Sequence, residues 1–498
     1  MMRPRVNSYL IASAVVLVWA VGVVLADTWV GDFQLHVATV RTLAGNVTHP
    51  PDPMVGTGDG GPYYSPYMLV LAVIVRLTGA APAPVVAWFA IPNVVLLLVA
   101  LRRLVGRLGG SAAAATVALA ALLLLWGPGS AGWSGFPDVR SLAETLPYPS
   151  TLAFGLMLVL WERLLAFREG IGPLVAIGVL AAAIVLVHPF TAVETGVGAV
   201  AILIGGYRTI SVRWWLALAG TATAAVAVAA LWPYSSLVDL FAGASALVEV
   251  HRPLRLALLD RHTLICGYGL LGLPALVLRW RRDRTDPLVL MFVLGAVVVA
   301  AAVLTRQHQF LRVIPVMMLP LQVAFGMFVV DRAAPAAARV GTAAAAALVF
   351  VAGFAVNTAP GLGVLSALPV RWLPRAVADD LRTLPIGADP TDRVRQFAPP
   401  GSTVLTDSKW TDRRLNLLGY YAVNPGWPNP WIGDQDARAT ARQEFLGAAT
   451  TPAQRGEIAR WYGARCVLLT RTPGIGGPDA VDGYRQVSVA GNVSLYCA

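Results

Sequence analysis

The sequence predicts a mainly α-helical membrane protein of about eleven spans, followed by a small α/β domain at the C-terminus. Three observations favour this fold class. Of the 498 residues, 57% are hydrophobic and 13% are charged, and the mean hydropathy is +0.65. Apolar runs long enough to cross a bilayer recur along the first 357 residues. From residue 401 onwards, shorter strand and helix patterns with more polar residues are typical of a folded domain outside the membrane.

The spans were located by their apolar length, and their orientation by their arginines. The apolar segment 66–79 has 14 residues with Arg76 inside. If this segment does not span, every short arginine-rich loop falls on the same side as Arg3 and Arg5, as the positive-inside rule requires. We therefore expect 66–79 to be an interfacial or re-entrant helix on the outer face. The expected spans are 9–26, 82–101, 112–127, 149–166, 173–188, 190–206, 214–232, 262–278, 287–304, 313–330 and 341–357.

This topology predicts a multi-pass plasma-membrane protein with a cytoplasmic N-terminus and an extracytoplasmic C-terminal domain. Residues 1–357 form the transmembrane domain, of which 27–80 are the first outer loop with its juxtamembrane helices, 358–400 a linker, and 401–498 the α/β domain. In the last, "STVLTDS" and "RCVLLTR" are expected strands, "DARATARQEFL" and "TPAQRGEIARWYGA" helices, and "YRQVSVAGNVSLYC" a hairpin turning at Gly491 and Asn492. Cys466 and Cys497 fit either a disulfide or two buried thiols.

The net charge of +11 raises the question of a nucleic-acid partner. The arginines lie in short clusters between apolar runs, so they are interpreted as topology signals, and no nucleic-acid partner is expected. The three cysteines lack any metal-ligand spacing such as CxxC, which argues against a structural zinc site.

The first outer loop carries the leading candidate residues. Asp32 and His36 are four residues apart, and the apolar spacing of "FQLHVATVRTLAG" predicts a helix that places both on one face at the water boundary. A carboxylate there can face a substrate that approaches along the membrane. The alternative for Asp32 is helix capping, and Asp27 is interpreted as a helix terminus.

A second candidate group is "TRQHQFLR", with Arg306, His308 and Arg312 between two apolar segments on the outer side. Because the positive-inside rule disfavours arginines there, they need a local reason. Arginine offers paired donors to phosphate oxygens, so a bound phosphate is one explanation. Nonspecific contact with lipid headgroups is the other.

Two further outer segments carry ionisable residues. In "VHPFTAVETG", a hydrogen bond between His188 and Glu194 that shapes the helical hairpin is the simpler interpretation. In the loop 127–150, Asp138, Arg140 and Glu144 fit a solvated face of ion pairs.

These features, in this order, resemble the GT-C class of integral-membrane glycosyltransferases, in particular its actinobacterial members. The resemblance rests on Asp32 to His36 in a helix ending at Gly45, on "YYSPYMLVLAVIVRLTG" from Tyr63 to Gly79, on "ALRRL" from Ala100 to Leu104, and on "VLTD", "YAVNPGWPNP" and "ARWYGARCVLLT" in the tail. The chain departs from the class pattern at Phe33, where a second acidic residue is usual, and at His36, where an aromatic is usual.

The resemblance implies a GT-C fold and an inverting sugar transfer on the outer face. The donor would be a polyprenyl-phosphate sugar, the acceptor a glycan or lipid of the cell envelope, and membrane lipids would be further partners. Asp32 would be the general base, a divalent cation such as Mg or Mn is left open, and no metal ligand is assigned. The substrate-binding residues would be His36, Tyr64, His188, Arg306, His308 and Arg312.

Two other function classes remain open at this stage. A transporter or flippase of lipid-linked substrates would use the same outer arginines, but it should also have broken helix pairs in repeated halves, which the sequence lacks. A catalytically inactive scaffold or sensor that displays the tail is kept open by Phe33.

Overall fold

The structure, a computed structural model, describes residues 7–26, 29, 31–58, 60–127, 132–207, 210–235, 244–260, 265–331, 390–427, 429, 432–470, 475, 477–490 and 493–498, with single positions between 340 and 351. Asp27, the Gly491-Asn492 turn, most of the expected span 341–357 and most of the linker lie outside the described residues. By contacts, the chain divides into two compact units. The first unit comprises 1–29, 87–231 and 247–374, and the second 30–86, 232–246 and 375–498.

Helices make up most of the chain before residue 330, as predicted. In chain order they are α1 Ser8–Ala26, α2 Phe33–Gly45, α3 Pro66–Thr78, α4 Pro82–Trp88, α5 Ala90–Arg107, α6 Ala112–Leu124, α7 Val139–Thr145, α8 Pro149–Leu165, α9 Ile171–Val187, α10 Pro189–Gly205, α11 Val212–Ala230, α12 Ala244–Val250, α13 Arg252–Leu259, α14 Leu273–Arg282, α15 Pro287–Leu304 and α16 Ile314–Val329. Short 3₁₀ helices cover Tyr268–Gly272, His308–Val313 and Pro390–Gln396.

Membrane-spanning character follows from the length and composition of these helices. Among the described residues, five helical segments are long and apolar enough to cross a bilayer: Ser8–Ala26, Pro82–Arg107, Val212–Ala230, Pro287–Leu304 and His308–Val329. Shorter apolar helices include α3, α6, α9 and α10. The predicted class, a mainly helical multi-pass membrane protein with a small C-terminal sheet, is confirmed. The count of eleven spans stays a prediction.

One expected span has a different form in the structure. The sequence predicts a continuous helix over 262–278, whereas the described part has the 3₁₀ helix Tyr268–Gly272 followed by α14. Glycines allow this segment to lie directly against α16: a Cβ on Gly272 would come within 2.2 Å of the Leu321 carbonyl oxygen, and one on Gly269 within 2.1 Å of Met318. Close packing on α16 therefore replaces regular helix here.

An ion-pair cluster fixes one of the arginine-rich connectors. Glu162, near the end of α8, is 2% exposed. Its carboxylate accepts a hydrogen bond from Nε of Arg107 at 2.8 Å and lies 3.5 and 3.8 Å from the guanidinium groups of Arg163 and Arg103. The connector that the sequence assigns to the cytoplasmic side thus compensates a buried charge as well as biasing topology.

The C-terminal part of the second unit contains a sheet with helices, as the sequence predicts. Its elements are β1 Thr403–Thr406, α17 Lys409–Leu418, β2 Tyr421–Ala422, α18 Gln435–Leu446, α19 Pro452–Trp461, β3 Ala464–Leu469, β4 Arg485–Ala490 and β5 Val493–Cys497. The strand order is β2-β1-β3-β5-β4, with β1 parallel to β2 and β3, and β5 antiparallel to β3 and β4. Cys466 faces Cys497 across β3 and β5 and forms a disulfide with it.

Helix α17 was not among the expected elements, because its sequence KWTDRRLNLL contains few apolar residues. Capping defines it instead: the Ser408 side chain accepts a hydrogen bond from the Trp410 backbone N–H, and Gly419 ends the helix at φ 93°. The helix presents the Asn416 side chain, which donates to the Met54 carbonyl at 2.9 Å, to the first outer loop.

The first outer loop and the C-terminal domain therefore form one packed unit. Arg41 of α2 donates to the carbonyls of Asn416 and Leu417 at 2.8 and 2.6 Å, which satisfies backbone acceptors in the last turn of α17. Because Arg41 lies at the C-terminus of α17, its positive charge also interacts favourably with the helix dipole. A second contact is the Asp52 carboxylate, which accepts a hydrogen bond from the Asn429 side chain at 2.7 Å.

Replacing Arg41 with Met should destabilise the second unit. The substitution keeps an apolar stem but leaves the two α17 carbonyls without their charged donor, which should lower the free energy of unfolding by about 1–3 kcal/mol. Thermal unfolding of the full-length protein in detergent measures the change. Arg465→Met, at an exposed position of β3, is the matched control and should change stability far less. Equal melting temperatures for Arg41→Met and the native protein would contradict this role.

Candidate functional site

In the first unit, the Arg312 side chain is buried and held by hydrogen bonds. It lies in the 3₁₀ helix His308–Val313, directly before α16, and is 4% exposed. Its Nη2 donates to the Ser134 carbonyl and, at 2.9 Å, to the Ser134 hydroxyl. The loop 132–138 therefore holds the guanidinium in place, and the sequence-predicted arginine is buried within the first unit.

Aromatic rings surround the Arg312 guanidinium. Its Cζ lies 5.3 Å from the ring centroid of Phe190, 5.7 Å from that of Trp133 and 5.8 Å from that of Phe136. Ring faces attract a cation and exclude water from it. A cation in such surroundings attracts an anion more strongly than one exposed to solvent, because less water screens it.

Three histidines lie in the same part of the first unit. His188 caps α10: its Nδ1 accepts from the Thr191 backbone N–H at 3.2 Å and lies 2.9 Å from the Thr191 hydroxyl. His308 is 6% exposed, and within the described chain neither of its ring nitrogens has a hydrogen-bond partner. A buried imidazole in that state is suited to a polar ligand.

His251, which the sequence analysis did not select, completes this group. Its ring stacks on Trp133 with centroids 5.7 Å apart, and it lies 5.0 Å from the ring centroid of Phe190. Its Nδ1 pairs with the Leu247 carbonyl at 2.7 Å, so Nδ1 carries the proton. Burial, then the positive charge of Arg312, lowers the pKa of His251 to about 4. His251 is therefore neutral at physiological pH.

We call this group the Arg312 cluster. It consists of Trp133, Ser134, Phe136, His188, Phe190, His251, His308 and Arg312. Gly135 suits the turn of the loop beside it, because its φ of 82° is a backbone conformation that favours glycine. Glu194, 1% exposed on α10, lies close enough to Arg312 to interact with it electrostatically.

The loop 132–138 ends at a buried carboxyl. Asp138 is fully buried and caps α7, with Oδ1 accepting from the backbone N–H groups of Arg140 and Ser141 at 3.1 and 2.9 Å. The expected solvated ion-pair face is therefore wrong for Asp138, because the loop folds inward at this point. Burial raises the pKa of Asp138 to about 7 despite these hydrogen bonds.

Arg306 has different surroundings. It is exposed and has φ 58° at the turn after α15. The described structure thus separates two arginines that the sequence treats alike: Arg312 is buried in the cluster, whereas Arg306 faces out of the fold.

In the second unit, Asp32 occupies the N-cap position of α2 and is partly buried. The capping alternative is not the role of its side chain, which makes no capping hydrogen bond. His36, one turn on, is 6% exposed, and burial lowers its pKa to about 3. The imidazole is therefore neutral. The predicted amphipathic helix over this stretch is present.

Tyr64 is 1% exposed, and its hydroxyl donates to the Pro51 carbonyl. Its neighbour Tyr63 is partly buried and packs on a cluster with Leu35 and Met54. Burial, and then the negative charge of Asp32, raise the pKa of Tyr63. The tyrosine within electrostatic range of the Asp32 carboxylate is therefore Tyr63, whereas the Tyr64 hydroxyl holds the loop through Pro51.

The described residues contain no group of three or more His, Cys, Asp or Glu side chains placed to hold a metal ion. The divalent cation that the resemblance leaves open is therefore not assigned to any residue.

Acidification should destabilise the protein through His251. Because its folded pKa of about 4 lies below the unfolded value near 6.5, the unfolded state binds more protons between these limits, so stability falls as the pH drops below about 6.5. His251→Gln should retain about 1–2 kcal/mol of the stability that the native protein loses between about pH 7 and pH 5. Thermal unfolding at both pH values measures this difference.

The exposed His49 provides the control for that prediction. His49→Gln should show the native loss on acidification. An identical pH dependence for His251→Gln and the native protein would show that His251 does not titrate differently on folding.

No protein-family model and no curated protein sequence matches the chain. Solved structures do. ArnT from Cupriavidus metallidurans in the apo state matches with a TM-score of 0.55 at 14% identity, over 98% of this chain and 97% of that chain. ArnT bound to undecaprenyl phosphate matches with a TM-score of 0.56 at 14% identity, over 99% and 98%.

A third match is the arabinofuranosyltransferase AftD from Mycobacteria, with a TM-score of 0.57 at 15% identity. It covers 98% of this chain but 39% of that chain. Matches of this kind establish the fold and not the activity. The chain has the GT-C fold of integral-membrane glycosyltransferases along almost its whole length, as its sequence motifs predicted.

Proposed function

We propose that this protein is an inverting membrane glycosyltransferase. It transfers a sugar from a polyprenyl-phosphate donor to a cell-envelope glycan or lipid on the outer face of the plasma membrane. The observation that carries the proposal is the buried, aromatic-lined Arg312 cluster in a chain with the GT-C fold. Undecaprenyl phosphate is bound by the ArnT structure that this chain resembles, and an anionic lipid headgroup is the ligand that a water-poor guanidinium favours.

Arg312 is assigned to the phosphate of the donor. When the bond between the anomeric carbon and the phosphate oxygen breaks, the electron pair stays on the phosphate, which gains negative charge. A guanidinium already held by Ser134 stabilises that charge without reorganising. His308, whose ring nitrogens have no partner among the described residues, is assigned to a second polar contact with the donor.

Asp32 is assigned as the general base. It takes the proton of the acceptor hydroxyl while the hydroxyl oxygen attacks the anomeric carbon from the face opposite the phosphate, which inverts the configuration. Its position at the start of α2, where it is partly buried, supports a carboxylate that a substrate can reach. His36 stays neutral and is assigned to a supporting contact with the substrate.

Arg306, Tyr64 and His188 remain as weaker assignments to the substrate. The hydroxyl of Tyr64 and Nδ1 of His188 already have partners within the fold, which favours positioning roles for both. Arg306 is exposed, and a contact with lipid headgroups suits it better than a contact within the Arg312 cluster.

Asp32→Asn should abolish sugar transfer while the protein still folds and inserts. Loss of a positioned base lowers the rate by about 10²–10⁴-fold. Mass spectrometry of envelope glycans and lipids from a deletion strain identifies the missing linkage. Expression of the native protein or of Asp436→Asn, an exposed control, should restore it, whereas Asp32→Asn at equal membrane abundance should not. Restoration by Asp32→Asn would favour the inactive-scaffold alternative or another base.

Arg312→Gln should weaken binding of undecaprenyl phosphate by the purified protein by roughly 10- to 100-fold, since it removes a charged donor to phosphate. Arg281→Gln, exposed at the end of α14, is the control and should bind as the native protein does. Undecaprenol, which has the same tail but no phosphate, should be bound equally by all three. An unchanged affinity of Arg312→Gln for undecaprenyl phosphate would exclude the phosphate assignment.

A further inference from the structure

In the second unit, the side chains of Trp410, Arg413 and Trp427 form a stack. Trp410 and Arg413 belong to α17, and Trp427 lies in the segment after β2. The Arg413 guanidinium lies over two indoles, with Cζ 3.6 Å from the ring centroid of Trp427 and 4.7 Å from that of Trp410. Arg413 is 3% exposed, whereas Trp410 is 51% exposed. The stack therefore has a buried cationic layer and an outward-facing indole.

The backbone around this stack is shaped to hold it. Arg413 Nη2 donates to the Gly426 carbonyl at 3.2 Å. A Cβ on Gly426 would lie 2.8 Å from Cγ of Arg413, so the absence of a side chain allows the segment after β2 to lie close against the arginine stem. The N-terminal cap of α17, Ser408 accepting from the Trp410 backbone N–H, fixes the first indole. Contacts within the fold thus hold the Arg413 side chain and the backbone of Trp410.

The same stack adjoins the α2 region that carries Asp32. Trp427 and Tyr63 pack on one apolar cluster, formed by Leu35, Met54, Val55 and Ile432. Leu35 follows Asp32 by one turn of α2. The charges of Asp32 and Arg413 both act on the Tyr63 hydroxyl, the first raising and the second lowering its pKa, beside the larger raising effect of burial. Asp32, Tyr63 and the stack are therefore close neighbours within the second unit.

We propose that Trp410, Arg413 and Trp427 form a carbohydrate-binding platform that holds a sugar ring of the acceptor beside Asp32. An exposed indole offers a flat apolar face to the C–H side of a sugar ring, and a rigid aromatic loses little entropy on binding. Among the described residues, the Trp427 indole N–H is a buried donor without a partner. Such a donor is available to a hydroxyl of the acceptor glycan.

The acceptor class that this platform fits is a glycan with neutral sugar rings. The Arg413 guanidinium is buried and donates to the Gly426 carbonyl, so the exposed part of the platform is the ring of Trp410. This inference rests on the proposed function for its link to Asp32 and to transfer. The binding of sugar by Trp410 is a separate property and can be measured without a donor.

The test uses the full-length protein in nanodiscs with two probes, an arabinofuranose tetrasaccharide and a mannose tetrasaccharide. They represent the furanose and pyranose ring forms, and their dissociation constants are measured by calorimetry without donor. We expect the native protein to bind at least one probe and Trp410→Ala to weaken that binding by roughly tenfold or more. Trp410→Tyr, which keeps a flat ring, should recover most of the affinity. Trp461→Ala, at an 82% exposed tryptophan of α19, should bind as the native protein does.

Two results would overturn the platform: no binding of either probe by the native protein, or equal affinities of Trp410→Ala and the native protein. The platform and the general-base role of Asp32 can fail independently of each other. If Asp32→Asn restores the missing linkage in cells while Trp410→Ala loses sugar binding, the general-base role fails and the platform stands. If Asp32→Asn is inactive while Trp410→Ala binds normally, the platform alone fails.

Discussion

The Arg312 guanidinium, held inside the first unit away from water, is the constraint on which much of that unit depends. A buried cation without compensation costs several kcal/mol. Here the Ser134 carbonyl and hydroxyl accept from it, and aromatic faces replace water around the remainder. The loop 132–138 must fold inward to provide Ser134, and this requires the positive φ of Gly135.

The three histidines around that cation have different surroundings and different hydrogen bonds. His251 is neutral since burial and the charge of Arg312 both oppose a second cation. His188 uses Nδ1 to cap α10. His308, buried and without a hydrogen-bond partner within the described chain, is the one whose polarity the fold leaves unsatisfied. Structural and ligand-binding roles thus separate among residues of one type by their hydrogen bonds.

The second unit is held together by polar contacts between segments that lie far apart in the chain. Residues 31–86 and the C-terminal domain share the Asp52–Asn429 and Arg41–α17 hydrogen bonds and one apolar cluster. The predicted domain boundaries follow the order of the chain, whereas the contacts group the first outer loop with the tail. Sequence composition marks where a chain leaves the membrane, but it carries no signal for which outer segments pack together.

The sequence by itself determined the helical class, most helix positions, the strands of the tail and the choice of Asp32. Apolar length and short-range spacing are local properties, and they are written in consecutive residues. Only the tertiary structure distinguished Arg312 from Arg306, brought His251 and Trp133 to the cluster, and replaced regular helix near Gly272 with close packing on α16. Those outcomes depend on burial and on contacts between residues far apart in the chain, for which a single sequence contains no periodic pattern.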